Sequence, residues 1–137
     1  MGKLLNIAVF LSGLALFVIG GGVGLGGFLT LGLQIPTDFI EVTKQDVFDV
    51  QDNHTRYLGG FFFMAGLVCM YGAFKITEMR TALISVCVMI AGAAVFRFLG
   101  GEADPFSAEL LPSLMAEVIL APALAIWLWF TKQARTN

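Results

Sequence analysis

The stretch "NHTRYLGGFFFMAGL" at residues 53–67 passes from polar to wholly apolar side chains within a few positions. Arg56 stands at the boundary, and the 18 residues from 57 to 74 carry no charge. A helix needs about 20 mostly apolar residues to cross the hydrocarbon core of a bilayer. A flanking arginine extends such a run, because its charged head reaches the interface while its stem stays in the apolar region. The stretch therefore predicts a transmembrane helix over about 56–75.

Three further runs have the same character, and they predict helices over about 4–27, 79–98 and 110–131. Residues 4–37 and 81–96 contain no charged side chain, and Glu117 alone interrupts 110–131. The runs lack the alternation of polar and apolar residues that is typical of strands. We expect an all-α, polytopic membrane protein with four transmembrane helices in an antiparallel bundle.

The composition points to lipid as the solvent. Of the 137 residues, 58% are apolar and 13% charged, whereas soluble domains average about 45–50% and 25%. The length favours a single domain over 1–137. The first apolar run is longer than the core of a usual signal peptide and no A-x-A cleavage site follows, so we expect it to be retained as a helix. A net charge of −2 without a basic patch speaks against nucleic acid as a partner.

Lysine and arginine are distributed unevenly between the predicted loops. Five basic residues fall on the side of both chain ends and three on the other: Lys3, Lys75, Arg80, Lys132 and Arg135 against Lys44, Arg56 and Arg97. Cytoplasmic loops carry the excess of basic residues in membrane proteins. The sequence therefore predicts an N-in/C-in orientation, with loops 34–55 and 99–109 on the outside.

The outer loop 34–55 mixes acidic with apolar residues and predicts a short helix at the membrane interface. This acidic segment either covers the bundle as a lid or contacts a partner. His54, the only histidine, fits a solvated loop residue. Cys69 and Cys87 lie within predicted helices without other ligands at metal-binding spacing. They fit small packing residues, and contact between them is the alternative. We expect no metal site and no cofactor.

Glycines are dense in "IGGGVGLGGFLTLG", residues 19–32. In lipid, small residues allow helix backbones to approach closely. The sequence predicts a helix-packing set whose members are Gly20, Gly24, Gly27, Gly59 and Gly60. Packing within the bundle competes with a second interpretation, in which the glycine face contacts another protein. Because glycine weakens a helix, we also expect a bend or break near the outer end of this run.

Three ionisable residues lie within or at the ends of the predicted spans. A carboxylate such as that of Glu117 costs about 2.5–3.5 kcal/mol in the centre of a membrane helix. Arginine suits the role of its partner, because the guanidinium stays charged and offers a planar fork. We predict that Arg56 and Arg97 converge on Glu117, with Glu102 or Asp104 above them.

Three interpretations of this cluster remain open. In the first, the cluster is an ion pair that fixes helix register. In the second, it forms a pocket near the outer face for a lipid headgroup, a quinone-like molecule or a small anion. In the third, the arginines only extend their charged heads to the membrane interface. No nucleophile, oriented base or metal set accompanies the cluster, so we do not expect an enzyme. Pro122 should kink the last helix.

These positions resemble a family of small bacterial four-helix integral membrane proteins known only as a domain of unknown function. The resembling segments are "RYLGG" at 56–60, "FRFLGG" at 96–101 and "LMAEVILAP" at 114–122. The resemblance covers roughly residues 5–131 and implies that Arg56, Arg97 and Glu117 form a shared polar set. It implies no activity. The acidic insert at 38–52 departs from the short first loop expected of the family.

The expected function is that of a small accessory or interaction subunit of a larger membrane complex in the bacterial inner membrane. The alternative is a membrane protein that binds or transports a lipid, a quinone or a small anion at the arginine–glutamate pocket. The bilayer and other membrane subunits are the expected partners in the first case.

Overall fold

The computed structural model describes residues 2–29, 42–99, 106 and 110–131, and within these ranges the chain is α-helical without strands. Its elements are α1 (Gly2–Gly26), a 3₁₀ turn (Gly27–Leu29), α2 (Gln45–Phe74), α3 (Ile76–Leu99), α4 (Leu111–Met115), a π-helical turn (Ala116–Leu120) and α5 (Ala121–Phe130). We call the continuous segment from Leu111 to Phe130 the fourth span.

In these ranges, four helices are long and apolar enough to cross a membrane: Gly2–Gly26, Gln45–Phe74, Ile76–Leu99 and Leu111–Phe130. The all-α class is confirmed, and the four apolar helices indicate a multi-pass membrane protein. The predicted bounds of the first, third and fourth helices lie within three residues of the observed ones.

The start of the second helix was predicted wrongly. α2 begins at Gln45 rather than near 56. Its first turns are polar and are stabilised by bonds between residues four apart: Gln45 Nε2 donates to Asp49 Oδ1 at 2.7 Å, and Thr55 Oγ1 donates to the Gln51 carbonyl at 3.0 Å. Residues 45–55 therefore continue α2 and do not form a separate interfacial helix. The remainder of the predicted outer loop, residues 30–41, lies outside the described residues.

The chain packs as two compact units, which we describe separately. The glycine-packed unit comprises Phe10–Tyr71, and the leucine-packed unit comprises Met1–Val9 and Gly72–Asn137. The single domain over 1–137 stays a prediction.

In the glycine-packed unit, the backbones of α1 and α2 touch. A β-carbon added to Gly20 would lie against the backbone of Phe63 and 2.7 Å from the Gly59 carbonyl oxygen, and one added to Gly59 would lie 2.7 Å from Gly24 Cα. Gly13 makes the same kind of approach to Gly66, whose carbonyl oxygen would lie 2.9 Å away. Successive contacts run in opposite order along the two helices, so α1 and α2 pack against each other along one line of glycines. We call this line, formed by Gly13, Gly20, Gly24, Gly59 and Gly66, the glycine seam.

Two members of the predicted packing set require correction. A β-carbon on Gly60 would meet nothing within 4 Å, so the seam does not require glycine there. Gly27 follows the end of α1 and has a φ of +61°, so its glycine serves a left-handed turn. The sequence analysis did not include Gly66, although it lies seven residues after Gly59 and thus on the same helix face.

In the leucine-packed unit, α3 packs against the fourth span. Buried side chains on α3 and on the fourth span recur at intervals of three, four and seven residues, as in coiled-coil seams. They are Ile76, Leu83, Cys87 and Ala94 on α3 and Leu114, Ala121, Leu124 and Leu128 on the fourth span. Leu83 and Leu128 are the largest of the fully buried side chains, with exposures of 1% and 0%.

Lys75 alone separates α2 from α3. Its N–H donates to the Gly72 carbonyl at 3.0 Å, and its carbonyl accepts the N–H of Met79 at 2.9 Å. A β-carbon on Gly72 would lie 2.8 Å from Leu83 Cδ2, so this glycine lets α3 fold back closely. The short connection fixes where α3 begins.

The fourth span is irregular one turn ahead of Pro122. The Ala121 N–H donates to the Ala116 carbonyl five residues earlier, which is the π-helical pattern. A proline ring clashes with the carbonyl four residues before it in a regular helix. The wider turn over Ala116–Leu120 contains Glu117 and directly precedes the turn of Pro122. The kink at Pro122 stays a prediction.

The adjacent glycines of α2 provide a matched test of the glycine seam. We expect Gly59→Ala to lower the free energy of unfolding by about 1–3 kcal/mol, because the new methyl group meets backbone that cannot move aside. Gly60→Ala should be neutral or stabilise by up to about 1 kcal/mol through helix propensity. Thermal unfolding of the detergent-solubilised variants measures both. Equal effects of the two substitutions would contradict the seam.

Candidate functional site

Arg97 and Glu117 form an ion pair between α3 and the fourth span. Arg97 Nη2 lies 2.8 Å from Glu117 Oε1. The Arg97 side chain is 36% exposed and that of Glu117 is 20% exposed, so the pair is partly shielded from solvent. Both residues belong to the leucine-packed unit, in which the pair joins the last turns of α3 to the π-helical turn.

Ser113 is a third member of this cluster that the sequence analysis missed. Arg97 Nη1 donates to Ser113 Oγ at 2.9 Å, and Ser113 Oγ donates to the Leu110 carbonyl at 2.9 Å. Ser113 precedes Glu117 by four residues, and helix residues four apart share a face. This four-residue spacing from Glu117 was the feature of the sequence that could have identified Ser113. The guanidinium therefore spans two successive turns of the fourth span with its two terminal nitrogens.

Arg56 bonds within the glycine-packed unit, which corrects the predicted convergence on Glu117. Its Nε donates to Asp52 Oδ2 at 2.6 Å, and its Nη1 donates to the Leu25 carbonyl. Asp52 lies four residues earlier on α2, where a carboxylate and an arginine meet readily. Glu102 and Asp104, which were predicted above the cluster, lie outside the described residues.

Asp52 completes a clamp on the end of α1. Its Oδ1 accepts the Phe28 N–H at 2.8 Å while Arg56 binds the Leu25 carbonyl. The last carbonyls of a helix lack partners within the helix and need other donors. A β-carbon on Gly27 would overlap the Asp52 carboxylate, so glycine is required here by both space and backbone conformation. We call Asp52, Arg56 and Gly27 the α1 clamp.

Arg80 binds the end of α5 in a similar way. Its Nη1 donates to the Thr131 carbonyl at 2.7 Å, and its guanidinium carbon lies 6.0 Å from the centre of the Trp129 ring. A cation at a helix C-terminus also interacts favourably with the helix dipole. The sequence analysis used Arg80 only as a sign of orientation, because its partner is a backbone atom of a distant helix.

Three further candidates, His54, Cys69 and Cys87, lie within the part of the chain that the structure describes. No three residues among its histidines, cysteines, aspartates and glutamates are placed to hold a metal ion. Cys69 and Cys87 are buried and form no disulfide with each other, one lies in each unit, and His54 is exposed on α2. The observed geometry supports hydrogen bonds and ion pairs by which arginine side chains connect two helices.

Removing the charge of Glu117 tests the ion pair. We expect Glu117→Gln to destabilise the solubilised protein by about 1–3 kcal/mol, because a partly buried guanidinium loses its counter-charge. Glu78→Gln is the control, since the Glu78 side chain is 71% exposed and its ion pair is longer. Thermal unfolding measures both. If Glu117→Gln and Arg97→Gln are each neutral, the pair contributes nothing to stability.

The α1 clamp makes a separate prediction. Asp52→Ala should destabilise by about 1–2 kcal/mol, because the Phe28 N–H and Arg56 lose their acceptor. Amide hydrogen exchange at Phe28 should increase. Asp49→Ala, on the same helix one turn earlier, removes only an exposed bond to Gln45 and should leave that amide unchanged. Identical exchange at Phe28 in both variants would rule out the clamp.

Comparison with known proteins gives a family without an assigned activity. The family described as Domain of unknown function (DUF4345) matches residues 4–128, which is most of the chain. No curated protein and no solved structure matches this chain. The match extends from the start of α1 to α5 and includes Arg56, Arg97 and Glu117. The chain belongs to the DUF4345 family of domains of unknown function.

Proposed function

We propose that this protein is a small accessory subunit of a larger membrane protein complex. The observation that carries the proposal is the use of its membrane-embedded polar groups. Arg97 bonds to Glu117 and Ser113, and Arg56 bonds to Asp52 and the Leu25 carbonyl. These donors stabilise the protein's own helices. A transport pathway or a catalytic centre would instead direct such groups at a ligand.

The outward surface supports the same role. Large apolar side chains are exposed along α2, where Tyr57, Phe74 and Met64 have exposures of 74%, 76% and 57%. In a bilayer such a face lies against lipid or against apolar helices of another subunit. The polar first turns of α2 add an exposed acidic surface at Asp46 and Asp49, which suits a basic segment of a partner.

The proposal includes the arrangement in the membrane. The four helices form an antiparallel bundle in the bacterial inner membrane, with both chain ends in the cytoplasm. The excess of lysine and arginine on the side of the chain ends supports this orientation. The short α2–α3 connection at Lys75 carries part of that excess, and α2's acidic first turns then project outward.

A second candidate is favoured by one observation. The Arg97 side chain remains 36% exposed and Ser113 is exposed, so a ligand near the outer face has access to both. A lipid headgroup, a quinone carbonyl or a small anion offers acceptors that match a guanidinium. In this alternative the protein binds or transports such a ligand, and Glu117 positions Arg97.

Purification from native membranes in mild detergent tests the proposal. We expect partner subunits at a fixed ratio through two chromatographic steps, measured by native mass spectrometry. The variant Asp46→Lys with Asp49→Lys should lose the partner, because it reverses the acidic surface, whereas Gly60→Ala should retain it. A homo-oligomer without partners, with a ligand whose retention requires Arg97, would favour the second candidate and contradict the first.

A further inference from the structure

A cavity of about 320 Å³ lies in the leucine-packed unit where several helices end. Its lining includes Gly2 at the start of α1, Phe74 at the end of α2, Ile76 at the start of α3 and Thr131 directly after α5. α1, α2, α3 and the fourth span, which α5 completes, are each long and apolar enough to cross a membrane. The cavity therefore lies at the level where the spans meet the polar boundary of the bilayer.

This cavity is distant from the Arg97–Glu117 pair. Ile76 begins α3 and Arg97 lies 21 residues further along it, which corresponds to about 30 Å of helix. A ligand in the cavity would consequently occupy the opposite end of the unit from the ion pair. The site is thus independent of both functions considered above.

The lining of the cavity is amphiphilic. Leu5 and Phe74 contribute apolar surface, while Asn6, Lys75 and Glu78 contribute polar groups. Asn6 is the first polar side chain after Lys3 in α1. A molecule that fits such a lining carries a polar head and an apolar body, as a membrane lipid does.

Two opposite charges in the lining specify the kind of head. Lys75 Nζ lies 3.6 Å from Glu78 Oε2, and the two side chains are 46% and 71% exposed. A zwitterionic head complements both charges, because its phosphate matches Lys75 and its ammonium group matches Glu78.

The surroundings suit the phosphate level of a bilayer. Arg80 lies over Trp129 next to the cavity-lining Thr131, to whose carbonyl it donates. Tryptophan and arginine are both anchors at the membrane–water interface. The Arg80 bond also fixes the Thr131 backbone that forms part of the wall.

We propose that this cavity binds the head of a zwitterionic membrane phospholipid, in which a phosphate ester carries an ammonium group. Lys75 binds the phosphate and Glu78 the ammonium, while Leu5 and Phe74 contact the start of the acyl chains. The inference does not depend on the accessory-subunit proposal, since a lipid site exists with or without a partner.

The test measures binding to the full-length protein in detergent micelles by native mass spectrometry and thermal shift. The probes are dioleoylphosphatidylethanolamine, dioleoylphosphatidylglycerol, dioleoylglycerol and soluble O-phosphoethanolamine. The variants are Lys75→Gln and Glu78→Gln, with Lys44→Gln as the control for loss of a lysine outside the cavity. Melting temperatures without lipid establish that each variant is folded.

We expect phosphatidylethanolamine to bind most tightly, and Lys75→Gln to weaken its binding about five- to tenfold, as for one partly solvated charge-assisted bond. The affinity of the Lys44→Gln variant for phosphatidylethanolamine should remain within about twofold of that of the unsubstituted protein, as for an exposed charge without ligand contact. Glu78→Gln should weaken the binding of phosphatidylethanolamine more than that of phosphatidylglycerol, because phosphatidylglycerol lacks the ammonium group. This comparison applies even if Lys75→Gln fails to fold.

Three results would overturn the proposal. Equal binding by the Lys75→Gln and Lys44→Gln variants would show that the cavity lysine is not used. Equal binding of dioleoylglycerol would show that the head is not recognised. Binding of O-phosphoethanolamine as tight as that of the lipid would assign the cavity to soluble phosphate esters.

Discussion

A carboxylate within an apolar helix is the constraint on which the leucine-packed unit depends. Glu117 lies in the π-helical turn of the fourth span, and charge at that depth is costly unless it is paired. Arg97 provides the counter-charge and also binds Ser113, so one guanidinium fixes two positions of the fourth span relative to α3. The ion pair lies in the same unit as the fully buried Leu83 and Leu128.

Arginine side chains also donate hydrogen bonds to backbone carbonyls at two helix ends. Backbone carbonyls at the end of a helix have no donor within the helix and need one from elsewhere. Arg56 binds the Leu25 carbonyl in the last turn of α1, and Arg80 binds the Thr131 carbonyl directly after α5. In the first case Asp52 adds the acceptor for the Phe28 N–H. The planar fork of arginine can bind a carboxylate or hydroxyl with one nitrogen and a carbonyl with another, which lysine cannot do with fixed geometry.

The positions of the apolar spans were predictable from the sequence, because lipid imposes a simple requirement on length and charge. The start of α2 was not predictable by that criterion, since residues 45–55 are helical through polar bonds such as Gln45 to Asp49. Arg56 was assigned to Glu117 because both are charged residues of predicted spans, whereas a carboxylate four residues away was a nearer partner. Gly27 and Gly60 show the same limit: composition marks glycines as packing residues, but only coordinates tell which ones face backbone.

Exchange of the two charges tests the central claim most directly. Arg97→Glu and Glu117→Arg should each lower the melting temperature of the solubilised protein, because each places two like charges together in a partly shielded site. The double variant restores an opposite pair and is predicted to recover most of the stability that either single change loses. A double variant as unstable as the sum of its single changes would show that the two side chains do not interact, and would contradict the account.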